Sequence, residues 1–357
     1  SLLLHGPAGI GRQRLGLWLA QLLTCAEPTE DGPCDRCASC RFAARLEHPD
    51  IHWFFPLPRP RVSGGPERLA DALEEARAAE IEARRATPLR PVGGGSEILG
   101  FYLAQVQTMR RIAQARPAMA ARKVFLIGDA ELLVPQESSP EAANAMLKLL
   151  EEPPPATTFI LTAAEPDALL PTLRSRLLPV RLRPLPIDDV AALLAGALSI
   201  PIDDARLPAR LAQGSIGRAL AFMPAEGEPG PLEALRRQAR SLLEAVTADS
   251  PLPRIAAAHA TPPTGARGAF TELLDAFALW LRDLAAVATA EESMVVNADA
   301  LGLLRNTAGR FPRAGERVHD AIRLVDEARA LTQNNVNPQL LLATLLRRIQ
   351  ATLKGEA

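Results

Sequence analysis

Hydrophobic positions along the chain follow two periods. Leu2-Leu3-Leu4 is a short apolar run, and after a glycine-rich turn Leu15, Trp18, Leu19 and Leu22 recur with helical spacing. The same alternation repeats downstream. Ile51-His52-Trp53-Phe54-Phe55 reads as a buried strand, and Lys123–Ile127, Thr158–Thr162 and Leu178–Leu182 read as further strands. Between them, Tyr102, Val106, Met109 and Ile112-Ala113 keep helical spacing up to Arg116-Pro117. Glu141–Glu152 carries the stripes Ala145, Leu149 and Met146, Leu150, and is stopped by Pro153-Pro154. A short helix then leads to Leu173-Arg174-Ser175-Arg176. Strands alternating with helices predict a doubly wound parallel sheet over residues 1–183.

From Pro184 onward the period is helical throughout. Ile187–Leu198, Asp203–Gln213 and a start near Ser215 predict a small helical domain over 184–225, with Pro224–Gly230 as linker. Leu235–Ala248, Gly268–Thr289, Met294–Ala308, Val318–Leu331 and Pro338–Leu353 predict an all-helical domain over 231–357, its last helix entered at Asn335-Val336-Asn337-Pro338. The fold class is therefore α/β followed by all-α. Residues 57–96 break the alternation: prolines and glycines flank a charged Ala/Glu/Arg segment from Glu67 to Arg85. This composition predicts a flexible surface insertion with one solvated helix, and regular structure resumes at Ile98.

Composition narrows the class. Lys and Arg number 40 against 41 Asp and Glu, so a protein gripping nucleic acid alone is disfavoured. No apolar run reaches the roughly 18 residues of a membrane span, and no signal peptide is evident, which points to the cytoplasm. The chain begins inside an apparent strand, implying residues before Ser1.

Three places carry candidate chemistry. Gly6-Pro7-Ala8-Gly9-Ile10-Gly11-Arg12-Gln13 has the strand–turn–helix context and G-x-x-x-x-G spacing of a phosphate loop. Lys and Ser/Thr would reach phosphates and Mg²⁺ there, but Arg12 and Gln13 hold those places. Weak nucleotide binding stays open, because Arg keeps the charge and Gly6, Gly9 and Gly11 keep backbone amides available. The strand Lys123–Ile127 should end in two acids in an active ATPase, and here Gly128 takes the first place and Asp129 the second. Cys25, Cys34, Cys37 and Cys40 are the only cysteines. Their C-x8-C-x2-C-x2-C spacing suits one structural zinc ion in a knuckle over 25–40, against two disulfides or unrelated thiols. His48 reads as packing beside the next strand.

With these residues, Asn144-Ala145-Met146-Leu147-Lys148-Leu149-Leu150-Glu151-Glu152-Pro153-Pro154 and Leu173-Arg174-Ser175-Arg176 complete a pattern that resembles the clamp-loader branch of AAA+ proteins. The resemblance covers nearly the whole chain and is diffuse after about residue 225. It implies an AAA+ domain with an inserted zinc knuckle, a helical lid and a C-terminal collar that packs against other subunits. It further implies that Ser175-Arg176 belongs to the family's Ser-Arg-Cys motif, with Leu177 in place of cysteine. Arg176 would then be an arginine finger reaching ATP held by a neighbouring motor subunit; the alternative is that it pairs with an acid on its own surface. Active relatives carry a polar sensor where Ala163 and Ala164 stand, and a second sensor arginine where Gly217 stands, with Arg218 one place along. Together these imply a non-catalytic clamp-loader subunit of the replicative polymerase holoenzyme, with no ATPase of its own. Its expected partners are motor (gamma/tau) and delta subunits, and through them the sliding clamp and primer-template DNA. The competing readings are an active ATPase subunit of the same family, with Arg12 for lysine, and a zinc-knuckle nucleic-acid module.

Overall fold

In a computed structural model the chain is described over residues 1–62, 65–89, 99–133, 141–225, 227–264, 268–311, 313–332 and 336–356. It forms two compact units. Among the described residues the first comprises 1–89, 99–186 and 214–217, and the second 187–213 and 218–356. The expected lid and collar helices thus share one unit.

The first unit is built on five parallel strands. In chain order its elements are β1 (Leu2–His5), α1 (Arg12–Thr24), α2 (Ala38–Ala44), β2 (Ile51–Phe54), β3 (Leu57–Pro58), α3 (Pro66–Ala86), β4 (Leu99–Gly100), α4 (Leu103–Gln114), β5 (Lys123–Ile127), α5 (Glu141–Glu151), β6 (Thr157–Ala163), α6 (Pro171–Arg174) and β7 (Leu178–Arg181). The sheet order is β2-β5-β6-β1-β7, and a separate two-stranded ribbon pairs β3 with β4. All pairings in the main sheet are parallel, as crossover helices require. Every residue of β5 is buried, the mark of a central strand covered on both faces. On one face Phe54, Phe125 and Phe159 stack in a row, with ring centroids 6.4 and 5.2 Å apart, above Met109 and Met146. On the other face Leu4, Val124, Leu126 and Ile160 pack with Trp53 and Phe55. Gly16 lets α1 approach closely: a Cβ there would lie 2.5 Å from the Leu126 side chain.

The insertion departs from expectation. Pro66–Ala86 is a continuous helix that packs rather than floats: Leu73 is fully buried, beside Leu69, Ala76 and Ile81. Arg77 lies over the Phe54 ring at 4.6 Å, and Arg84 over Trp53 and Phe55 at 4.5 and 4.1 Å. Arginine stems and guanidinium planes cover aromatic surface here, so a helix that reads as polar still docks. Residues 63–64 and 90–98, including Ile98, lie outside the described residues.

His52 on β2 faces Phe125 at 4.9 Å between centroids, and its Nε2 is buried without a hydrogen-bond partner among the described residues. Burial pushes its pKa from 6.5 down to about 4. The unfolded chain therefore takes up this proton at higher pH than the folded one. Stability from this site is whole above pH 6.5 and declines as pH falls toward 4, by about 3 kcal/mol in all. Melting temperature measured across that window should fall, and His52→Phe should flatten the slope; an unchanged slope would contradict the assignment.

The second unit is helical: α7 (Ile187–Leu198), α8 (Ile202–Leu211), α9 (Ile216–Phe222, its first turn in the first unit), α10 (Pro231–Thr247), α11 (Leu252–Ala260), α12 (Ala269–Ala288), α13 (Leu301–Arg310), α14 (Ala314–Leu331) and α15 (Pro338–Lys354). Trp280, Phe277 and Leu274 of α12 form the centre of the largest core. Helix α11 was not evident from periodicity. The predicted helix Met294–Ala308 begins instead at Leu301: short 3-10 helices lie at Glu292–Met294 and Ala298–Ala300, and buried Asp283 accepts the Val296 and Asn297 N–H groups at 3.1 and 2.7 Å and fixes the non-helical residues between them. The last helix is capped by Asn337, whose Oδ1 accepts the Gln339 N–H at 2.9 Å; Asn335 lies outside the described residues.

Candidate functional site

The phosphate-like loop joins β1 to α1. Gly9 and Gly11 take positive φ of 77° and 94°, which L side chains rarely adopt, so the loop keeps its turn. Gly6, at φ 152°, sits against the backbone: a Cβ there would lie 2.5 Å from the Leu182 carbonyl oxygen. The carbonyls of the loop hold the start of α9, with Ser215 Oγ donating to Ala8 O at 3.0 Å and Gly217 N–H to Gly9 O at 3.1 Å. Gly217, where active relatives were expected to carry arginine, is thus a backbone contact to the loop. Arg218 acts electrostatically on Asp275 in the second unit.

The side chains of the loop and of the turn after β5 fill one another. Arg12 is only 7% exposed; its Nη1 donates to Gly6 O at 2.9 Å, and its Nη2 pairs with Asp129 at 3.2 Å. Gln13 Nε2 donates to the other Asp129 oxygen at 2.9 Å. Arg84, from the insertion helix, donates to Gln13 Oε1 at 3.1 Å and to Glu80 at 2.8 Å. Gly128 belongs to the same set, because a Cβ there would meet the Gln13 amide at 2.7 Å. The Arg12 charge is therefore neutralised from within, and the space beside Gly128 is closed by Gln13. Asp129 also donates its N–H to Thr162 Oγ1 at 3.0 Å, and Glu131 accepts the Ala164 N–H at 2.7 Å, at the position expected for the polar sensor. Burial raises the Glu131 pKa.

The four cysteines come together as their spacing predicts. Their Sγ atoms all lie within 4.8 Å of one another, and no disulfide joins them. Sulfurs around one tetrahedral zinc, at about 2.3 Å each, stand about 3.8 Å apart; Cys34 and Cys40 are already at 4.0 Å. The N–H groups of Cys34, Cys37 and Cys40 point at the sulfurs of Cys25, Cys34 and Cys37, at 3.3 to 3.4 Å, donors that favour thiolates. Backbone donation from Cys40 and Ala26 lowers the Cys37 pKa to about 6, while burial pushes Cys40 up to about 12. A donor set of four sulfurs fits one structural metal ion.

His48 is not a ligand. It bonds Ser39 Oγ through Nε2 at 2.7 Å and accepts the Asp50 N–H at Nδ1 at 3.0 Å, while Ser39 donates to Thr24 O at 2.6 Å. Asp50 in turn accepts the N–H groups of Ala118, Met119 and Ala120 at 2.6, 2.7 and 2.7 Å; they hold its carboxyl below the usual range although burial opposes this. A hydrogen-bonded chain thus runs from the knuckle to the loop before β5.

Ser175 and Arg176 follow α6 on the surface. Arg176 is paired with Glu151, the last residue of α5. The arginine is 34% exposed and lies apart from the Arg12 cluster in sequence and in hydrogen bonding. Arg84 and Glu151, which shape these two places, carry no local sequence signal for those roles.

The family described as "DNA polymerase III, delta subunit" matches residues 1–186, and its C-terminal counterpart matches residues 256–351. The DNA polymerase III subunit delta' of Escherichia coli (strain K12) is 27% identical over 357 residues, covering 99% of this chain and 90% of its own. The subunit delta' of Pseudomonas aeruginosa is 33% identical over 177 residues, 49% of this chain and 40% of that relative, so this match spans less than half of the relative. The subunit gamma/tau of Mycobacterium tuberculosis (strain ATCC 25618 / H37Rv) is 28% identical over 211 residues, 58% of this chain and 29% of that relative. Among solved structures, a gamma subunit-related protein of Thermotoga maritima aligns at a TM-score of 0.32 and 17% identity, over 88% of this chain and 99% of its own, too low to carry an argument.

Proposed function

The chain belongs to the DNA polymerase III delta-subunit family, and from that membership we propose that it is a delta-prime subunit of a bacterial clamp loader without ATPase activity of its own. It assembles in the cytoplasm with gamma/tau motor subunits and the delta subunit. There it presents Arg176 in trans to ATP held by a neighbour, and the complex opens the sliding clamp for placement on primer-template DNA. The observation that supports this most is the self-occupied loop, where Arg12 is committed to Gly6 O and Asp129, and Gln13 to Asp129 and Arg84. A guanidinium tied to a carboxylate and a carbonyl has little charge left for phosphate. Arg176 is also paired, with Thr172 O and Glu151, but at the surface, where such a pair is readily exchanged and its fixed positive charge can be delivered to a transferring phosphoryl group. Cys25, Cys34, Cys37 and Cys40 hold one structural Zn²⁺ in this reading.

Two measurements test it together. The chain should co-purify with gamma/tau and delta subunits, and titration of the isolated chain with a fluorescent ATP analogue and Mg²⁺ should give no saturable binding in the micromolar range. Tight binding with turnover would instead identify an active ATPase subunit.

A further inference from the structure

The Arg176 guanidinium is already occupied. Nη1 donates to Thr172 O at 2.7 Å and reaches Ser175 Oγ at 3.4 Å, both within its own turn. Nη2 pairs with Glu151, which is 25 residues away at the end of a different helix. That contact is not forced by the local backbone, and it sets a carboxylate against the one side of the guanidinium that the turn leaves free. Arg176 and Glu151 are 34% and 45% exposed, so the pair is weak and readily exchanged. A triphosphate brings several anionic oxygens and a denser charge than one carboxylate, and it competes well for the same planar donors. Arginine cannot give its full charge to a phosphate while a carboxylate sits on the same nitrogen.

The geometry points to Glu151 as a latch on the finger: it holds and neutralises Arg176 in the free chain and gives it up when a neighbour's nucleotide arrives. This rests on the finger reading above. Glu151 is then a positioning residue that acts through Arg176 and does not itself touch ATP. The opposite arrangement, in which Glu151 stays on Arg176 and steers it, predicts the opposite sign when the carboxylate is removed.

Complexes reconstituted from gamma/tau, delta and this chain separate the cases, using wild type, Glu151→Gln, Arg176→Ala and the double variant. Glu151→Gln should lower the KM for ATP two- to fivefold, the range of an exposed ion pair, with kcat no lower. The gain should vanish in the double variant. A slowed or unchanged Glu151→Gln complex overturns the latch. If Arg176→Ala slows hydrolysis while Glu151→Gln does nothing, the latch alone falls; if Arg176→Ala has no effect, the finger reading falls and takes the latch with it. A readout independent of assembly is the Arg176 Nε–H resonance of the isolated chain. It should shift and exchange faster with water in Glu151→Gln, and an unmoved resonance also counts against the latch.

Discussion

Arg176→Ala should slow ATP hydrolysis at the neighbouring site it serves by about a thousandfold or more, the typical contribution of an arginine finger. The main effect should be on kcat, since the guanidinium meets charge that grows as the γ-phosphoryl group departs, beside a rise of a few fold in KM. Assembly should be intact. Arg176 is surface-exposed, and its interactions in the chain are with Thr172, Ser175 and Glu151, so its removal leaves no buried group unpaired. Steady-state hydrolysis by the whole complex should fall by the share of that one site, and single-turnover measurement should isolate it. Arg176→Lys should recover only part of the rate, because ammonium keeps the charge and loses the planar fork. Full hydrolysis in the alanine complex would remove the trans role.

The second large effect concerns the knuckle. The purified chain should carry about one zinc, measured by elemental analysis. Stripping it with a strong chelator should unfold 25–40, since binding energy in such small sites is largely folding energy, of order 10 kcal/mol. The disturbance should travel along the hydrogen bonds from Ser39 through His48 to Asp50 and the N–H groups of 118–120. Hydrogen exchange of Ala118, Met119 and Ala120 should therefore accelerate together with that of the knuckle. Cys40→Ser should reproduce the loss, because this buried ligand has no solvent-exposed substitute. Protein that is metal-free as isolated, or paired in disulfides, would overturn the zinc assignment.

The strands of the main sheet were legible as short, largely apolar runs; burial on both faces accounts for this in β5, whereas the edge strand β7 is exposed throughout. Helix α3 was harder to read: a narrow apolar stripe of Leu69, Leu73, Ala76 and Ile81 lies within a mostly charged segment, and Arg77 and Arg84 complete the docking over aromatic rings, which apolar periodicity does not register. Helix α13 was read too long because the carboxylate that fixes the non-helical residues before it, Asp283, lies 13 residues before Val296. In the loop site Arg12, Gln13 and Gly128 were each legible as a departure from one place in a motif. Their mutual fit was not, since Arg12 and Asp129 are 117 residues apart and meet only across folded strands. The meeting of the four cysteines was legible, because two-residue spacers bring sulfurs together almost regardless of context. For Arg176 the sequence left two partners open, a neighbour's ATP or an acid on its own surface; the free chain shows the second.

The interlocked loop has an evolutionary consequence. Lysine at position 12 alone would leave Gln13 in place; aspartate at position 128 would set its Cβ 2.7 Å from that same amide; serine at position 13 would leave Arg84 without its amide partner. Each step back toward nucleotide use meets a neighbour already fitted to the present state, and three separate elements must change before any of them gains. Such a site resists piecemeal substitution: a change at any one of Arg12, Gln13, Arg84 or Gly128 leaves its neighbours fitted to a partner that is gone.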